Sequence, residues 1–392
     1  MPIFLQTRLK RYDIHHSLWF ILLIALVGCS GNSPLPTATP ETAPSQPTQL
    51  ADRLPTPTPI LSGQLGSDIN QYILQNYPLF SGAILVSQDG EILLSSGYRY
   101  ANWELNVPNT SSTKFRLASL TQPFTALAIM MLQEQGLLEV NNSICDFIAN
   151  CPANWQPITV HHLLTHTSGI PDYTAFPNAI HEAASSRTVT QLIDSFQDAP
   201  LEFEPGSQFS FSNSGYVLLG AIIESVSGLS YEDFVLNNIF SPLSMQDSGY
   251  DDTSQILKGR ANGYTIDGRT LENGAYIAPS NLYSTAGLYS TIEDFDRWEQ
   301  ALSSGQLVSQ KSLDQMLTPY VLAPKYGAEY GYGWVISLSQ EHRVIWNVGS
   351  LPGFYNYFAH FPDDGVNIIV LSNLDTSDVL SIAQGIKEII IQ

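Results

Sequence analysis

Residues 115–136, FRLASLTQPFTALAIMMLQEQG, constrain the fold more than any other stretch. From Phe124 to Leu132 nearly every side chain is apolar, and Gly136 closes the run. A helix apolar on all sides must be buried. Pro123 has no N–H to donate, so it predicts the first turn of that helix. Ser119 then falls at or just before the N-terminus, where free N–H groups and the helix dipole favour negative charge. Such a place suits a nucleophilic serine. It also suits a capping serine, the better reading on this stretch alone.

The N-terminus reads as an export signal. Arg8, Lys10 and Arg11 precede a short apolar run, residues 18–28, too short for a stable membrane span. The run ends in Leu26-Val27-Gly28-Cys29. This resembles the bacterial lipobox, which implies removal of residues 1–28 and lipidation of Cys29. A plain signal peptide or signal anchor with a chance cysteine is the other reading. Residues 30–62 hold eight Pro and six Thr. That composition builds no core and favours extended polyproline, able to hold a domain up to ~100 Å from a membrane. The chain thus divides into a signal (1–28), a lipidated linker (29–62) and a globular domain (63–392).

The balance of 16 basic against 36 acidic residues gives a net charge of −20. It argues against nucleic acid and anionic membrane surfaces as partners, leaving the membrane reached through the lipid alone. Cys145 and Cys151 lie close together in a loop-like stretch. In an exported chain they read as a small-loop disulfide, with two buried thiols as the alternative. His161, His162 and His166 cluster in sequence without a convincing metal-ligand pattern, and neither metal nor cofactor is expected.

Within the domain, residues 64–77 have helical spacing. Two strand-like runs, 82–88 and 91–96, flank Asp89-Gly90, a strong hairpin signal. Helical patterns dominate 140–324, notably 189–196, 214–227, 231–240 and 292–302. Strand patterns return at 332–338, 343–348, 355–361 and 366–371, before a last helix at 379–391. Strands at both ends with helices between predict an α+β fold. One antiparallel sheet is built from 63–118 and 325–392, with 119–324 as a mostly helical insertion.

Three strings carry a resemblance. The first is Phe115-Arg116-Leu117-Ala118-Ser119-Leu120-Thr121-Gln122-Pro123-Phe124. The second is Phe209-Ser210-Phe211-Ser212-Asn213-Ser214-Gly215-Tyr216, and the third Trp346-Asn347-Val348-Gly349-Ser350-Leu351-Pro352-Gly353-Phe354. Together they resemble the serine β-lactamases and penicillin-binding DD-peptidases, closest to the class C and esterase branch, over about residues 64–392. The resemblance implies acyl transfer through Ser119 in a cleft between sheet and helices. In that family a Lys takes the serine's proton, a Tyr shares the acid/base work, and a Lys/His-Thr/Ser-Gly strand grips the substrate. Here Gln122 stands at the Lys position, Phe211 at the Tyr position, and Asn347 and Val348 at the Lys/His and Thr/Ser positions. Asn213 and Gly349 are retained, and backbone N–H groups of Ser119 and Ser350 would form the oxyanion hole. His166, in LLTHTSGI, is read as structural.

An amide accepts no proton usefully, and a phenyl ring has no hydroxyl. Loss of general-base help costs roughly 10²–10⁴-fold in rate. The first expectation is therefore an exported, lipid-anchored pseudoenzyme that binds a small-molecule, cell-wall-derived peptide or protein ligand. The alternatives are an active serine hydrolase of rearranged acid/base groups, with Ser210 or Ser212 as conceivable rescuers, and a serine that acylates without turnover. A fourth is a collapsed, dry site filled by Phe211 and Val348.

Overall fold

The computed structural model describes residues 58–391. The proposed signal, Cys29 and the linker up to residue 57 lie outside the described residues. The core is a nine-stranded antiparallel sheet drawn from both ends of the domain. Across the sheet the strands run Ile60–Leu61, Glu91–Tyr98, Gly82–Gln88, Val366–Ser372, Phe354–Phe361, His342–Leu351, Val335–Ser339, Ala328–Tyr330 and Val321–Ala323.

Alternation along the two central strands explains the layers. Ala83, Leu85, Ile369 and Leu371 face the core shared with the Gln122–Glu134 helix. Ile84, Val86, Ile368 and Val370 face the other way, against the helices Gly63–Asn76 and Val379–Ile390. Successive side chains of a strand point to opposite faces, so strands apolar at every position are covered on both. Asp89 and Gly90 both have positive φ (50° and 82°), as a tight two-residue hairpin requires.

The helix Gln122–Glu134 has every residue from Gln122 to Leu132 buried, with Pro123 in its first turn. It packs against the helix Asn213–Ser227, which ends on Gly228 in the left-handed conformation. Cys145 and Cys151 are disulfide-bonded.

Four sequence expectations need adjustment. Ile60 and Leu61 pair with Ser95 and Leu94, so the sheet reaches into the predicted linker. The helical region holds strands as well: Leu288–Ser290 pairs with Gly249–Tyr250 and with Phe115–Arg116 from outside it, and Tyr264–Asp267 pairs with Thr270–Asn273. The helix expected over 231–240 is α-helical to Val235 and then widens to a π-turn, Leu236–Phe240. The strand expected from 332 begins at Val335 because Gly333 turns the chain at φ 79° against the start of the Gln122–Glu134 helix. A Cβ on Gly333 would come within 3.0 Å of the Pro123 Cα.

Candidate active site

Ser119 sits on a short 3-10 turn, Ala118–Thr121, directly ahead of the buried helix. The turn is held from several sides. Buried Asn356 donates to the carbonyls of Arg116 and Leu117 at 2.9 and 3.1 Å. Leu117 N–H donates to Leu288 O at 2.8 Å. Arg116 and Arg260 both bond Asp251, at 2.6 and 2.7 Å, and the Asp251 side chain is 1% exposed. Gly349 passes so close that an added Cβ would lie 2.1 Å from Leu117 O. That close approach is why glycine is needed there. Ala118 is forced to φ 53°, a conformation costing roughly 1–2 kcal/mol for an L-residue. The packing around the turn holds this strain, and Ser119 is left half-buried on a cavity.

That cavity, of about 240 Å³, is lined by Ser119, Asn213, Thr285, Ser350, Leu351 and residues of the 173–187 and 277–286 segments. The collapsed site expected as one alternative is therefore not what forms. The Phe211 ring stays half-buried and packs on the His166 imidazole, 4.5 Å between centroids. It leaves the space beside Ser119 open. Val348 is likewise absent from the cavity wall.

Gln122, at the position where the resemblance implies a lysine, has both ends of its amide engaged. Its Oε1 lies 3.2 Å from His166 Nε2, and its Nε2 donates to Thr285 Oγ1 at 3.3 Å. Thr285 donates to Asn213 Oδ1 at 2.6 Å, and Asn213 Nδ2 donates to Asp172 at 3.1 Å. One hydrogen-bonded chain thus runs His166–Gln122–Thr285–Asn213–Asp172 beneath the serine. Asn213, retained in its string, is already paired at both ends of its amide. Asn347 is also spent: its amide donates to Gly333 O at 2.8 Å, and its Oδ1 accepts from Val348 N–H at 2.7 Å.

The neighbouring titratable groups are poorly placed to act as a base for Ser119. His166 is buried and accepts from Ser212 N–H at Nδ1, so its Nε2 carries the proton toward Gln122. Burial pushes its pKa down to about 3, helped by the charge of Lys325. It stays neutral, and its acceptor nitrogen is already taken. Asp172 has its pKa raised by burial, partly opposed by its bonds to Thr174 and Asn213. Lys325, missed in the sequence, stands over the Phe211 ring, 4.9 Å from the centroid, but it does not line the cavity. Ser210 turns to Glu202, and Ser212 Oγ is buried without a partner, so neither reaches out as a rescuer. His161 bonds the Tyr332 hydroxyl, and His162 caps its own helix at Thr159.

Neutral His166 has a measurable consequence. Between pH ~6.5, its ordinary value, and about 3, the unfolded chain binds a proton there that the folded chain refuses. Stability from this group is complete above pH ~6.5 and is lost as pH falls, with a slope approaching ~1.4 kcal/mol per pH unit. Urea titrations of wild type and His166→Asn across pH 4–7 should show that slope in wild type and a shallower one in the variant. Parallel curves would mean that His166 titrates as an ordinary exposed histidine.

The fold and the serine turn define a serine-hydrolase scaffold, and comparison with known proteins identifies it further. The β-lactamase family model matches residues 71–389. Penicillin-binding protein 4* of Bacillus subtilis is 31% identical over 312 residues, covering 75% of this chain and 68% of that protein. The crystal structure of a penicillin-binding protein from Bacillus halodurans superposes with a TM-score of 0.75 at 29% identity, covering 81% of this chain and 99% of that one. An octameric penicillin-binding protein homologue from Pyrococcus abyssi gives 0.72 at 30% identity, covering 83% and 76%. The chain belongs to the β-lactamase family.

Proposed function

We propose that this chain is an exported, lipid-tethered member of the family whose cleft binds a ligand without family-like turnover. One observation carries the reading. The residue at the lysine position, Gln122, is an amide bonded to neutral His166 and to Thr285, so no proton acceptor stands one helical turn from Ser119. The cavity beside Ser119 supports a surviving binding role, and its volume lies just below that of drug-sized sites, which suits a small ligand. The Leu-Val-Gly-Cys sequence at residues 26–29 supports a tether in a bacterial cell envelope. A cell-wall peptide or another protein is the partner class this placement favours.

The test is turnover. The full chain in detergent should hydrolyse a chromogenic cephalosporin and p-nitrophenyl acetate at the rate of its Ser119→Ala variant. A rate that collapses in the variant overturns the reading.

The second reading is an active esterase or amidase with rearranged acid/base groups. It is favoured by Ser119 and Ser350 lining the same cavity, where their N–H groups would stabilise an oxyanion. Asp172 would then be a positioning residue, orienting Asn213 and, through it, Thr285 in the cavity wall. On this reading Asp172→Asn lowers any Ser119-dependent hydrolysis more than tenfold (about 1.4 kcal/mol).

A further inference from the structure

We propose that Arg187 makes the cavity beside Ser119 selective for ligands carrying a carboxylate next to a small apolar body. The proposal rests on the reading of that cavity as a binding site. Among the described residues that line it, Arg187 is the only charged one. Much of the remaining wall is Ala179, Ala183, Ile277, Leu282, Ala286 and Leu351. An apolar wall with a single cation selects a molecule of matching polarity.

Arg187 is held there. Asn281, itself buried, donates from Nδ2 to the carbonyls of Ala183 and Ser185 at 3.0 and 2.9 Å. Ala278 N–H bonds Ala183 O at 2.9 Å, and Arg187 N–H bonds Ser280 Oγ at 3.2 Å. These contacts fasten the backbone that carries the guanidinium. The Arg187 side chain is only 16% exposed, whereas its carboxylate partner Glu182 is 53% exposed. The Arg187–Glu182 pair runs through one guanidinium nitrogen. A guanidinium has five donors, so others remain for a bidentate grip on a ligand carboxylate.

The rest of the molecule makes a local cation necessary for such a ligand. A net charge of −20 repels anions at long range. Asn347, at the position where the resemblance implies a substrate-gripping cation, is neutral and bonded to Gly333 and Val348. Arg187 supplies positive charge from a different segment of the chain. A ligand carboxylate would compete with Glu182, and it would do so from inside the cavity, where screening by water is weaker.

The probes are 3-phenylpropanoate and its uncharged analogue 3-phenylpropanamide, titrated into the full chain in nanodiscs and followed by ligand-observed NMR. The expected result is that wild type binds the carboxylate about tenfold more tightly than the amide. Arg187→Gln should abolish the preference for the carboxylate over the amide. Glu182→Gln should widen the preference by removing the competitor. Arg187→Lys, which keeps the charge but not the fork, should fall between; it and Glu182→Gln carry the test if Arg187→Gln does not fold. Amide binding with no carboxylate preference, or a preference that survives in Arg187→Gln, overturns the assignment of Arg187 alone. Failure of both probes to bind overturns the cavity reading and this proposal with it.

Discussion

A chain carrying Gln122→Lys, Phe211→Tyr and Asn347→His together is expected to acylate Ser119 ~10²–10⁴-fold faster than the parent. The scaffold around the three positions is intact. The Ser119 turn is fixed by Asn356, Leu288 and the close passage of Gly349, none of which changes. A lysine at 122 would enter a fully buried pocket beside His166 and Thr285. Burial disfavours the ammonium and brings its pKa toward neutrality, where it serves as a base. His166 adds no competing positive charge, because burial keeps it neutral. A hydroxyl on the half-buried ring at 211 adds a second proton carrier, and a histidine at 347 puts an imidazole in place of an amide. The single variants should recover much less than the product of their effects would suggest, because groups that act as a unit are not additive. Adduct formation with a fluorescent penicillin, read by intact mass against time, measures the gain. A folded triple variant that stays unlabelled would place the loss of chemistry elsewhere in the site.

Phe124→Ala is expected to destabilise the domain by about 3–5 kcal/mol, measured by urea unfolding. Phe124 is fully buried in the first turns of the helix that follows Ser119. Its ring stacks on Trp298 with centroids 3.9 Å apart and meets Phe240 and Phe295 edge-on, each at 5.8 Å. Truncation leaves a cavity bounded by three large rings from other elements, which cannot collapse into it cheaply. Trp298 also stacks on Trp334, beside the Gly333 turn that covers Pro123. The loss should therefore loosen the serine turn as well as the core. A cost below ~1 kcal/mol would mean that these rings repack freely and that the site is not held by this cluster.

The fold was legible where local pattern and burial agree. The all-apolar run 124–132, the Asp89-Gly90 hairpin and the glycine after Ser227 each name an element through its own residues. The sheet from two chain ends followed from strand patterns at both termini. Less legible were features set by contacts across the chain. Ile60 and Leu61 follow Thr-Pro repeats and look like linker, but a free edge at Ser95 recruits them. Gly333 delays its strand because Pro123, 210 positions earlier, lies against it.

The site divides in the same way. Ser119 and Asn213, singled out by their strings, meet at one cavity, but the bonding of Gln122, Asn213 and Asn347 was not legible. Gln122 reaches Thr285 across 163 positions and His166 across 44, and nothing in the sequence near Ser119 announces either. Asp172 lies six residues after His166, and that proximity was the available hint of a connected network. Arg187 sits in no motif at all. Its role emerges only when the 277–286 segment brings it to the cavity.

The most direct measurement is intact-mass analysis of the full chain after exposure to a fluorophosphonate and a fluorescent penicillin, beside Ser119→Ala. If Ser119 lacks a base, both proteins should remain at their unmodified mass while the triple variant takes up one label. A single adduct on the parent that disappears in Ser119→Ala would contradict the account and show a serine activated by another group.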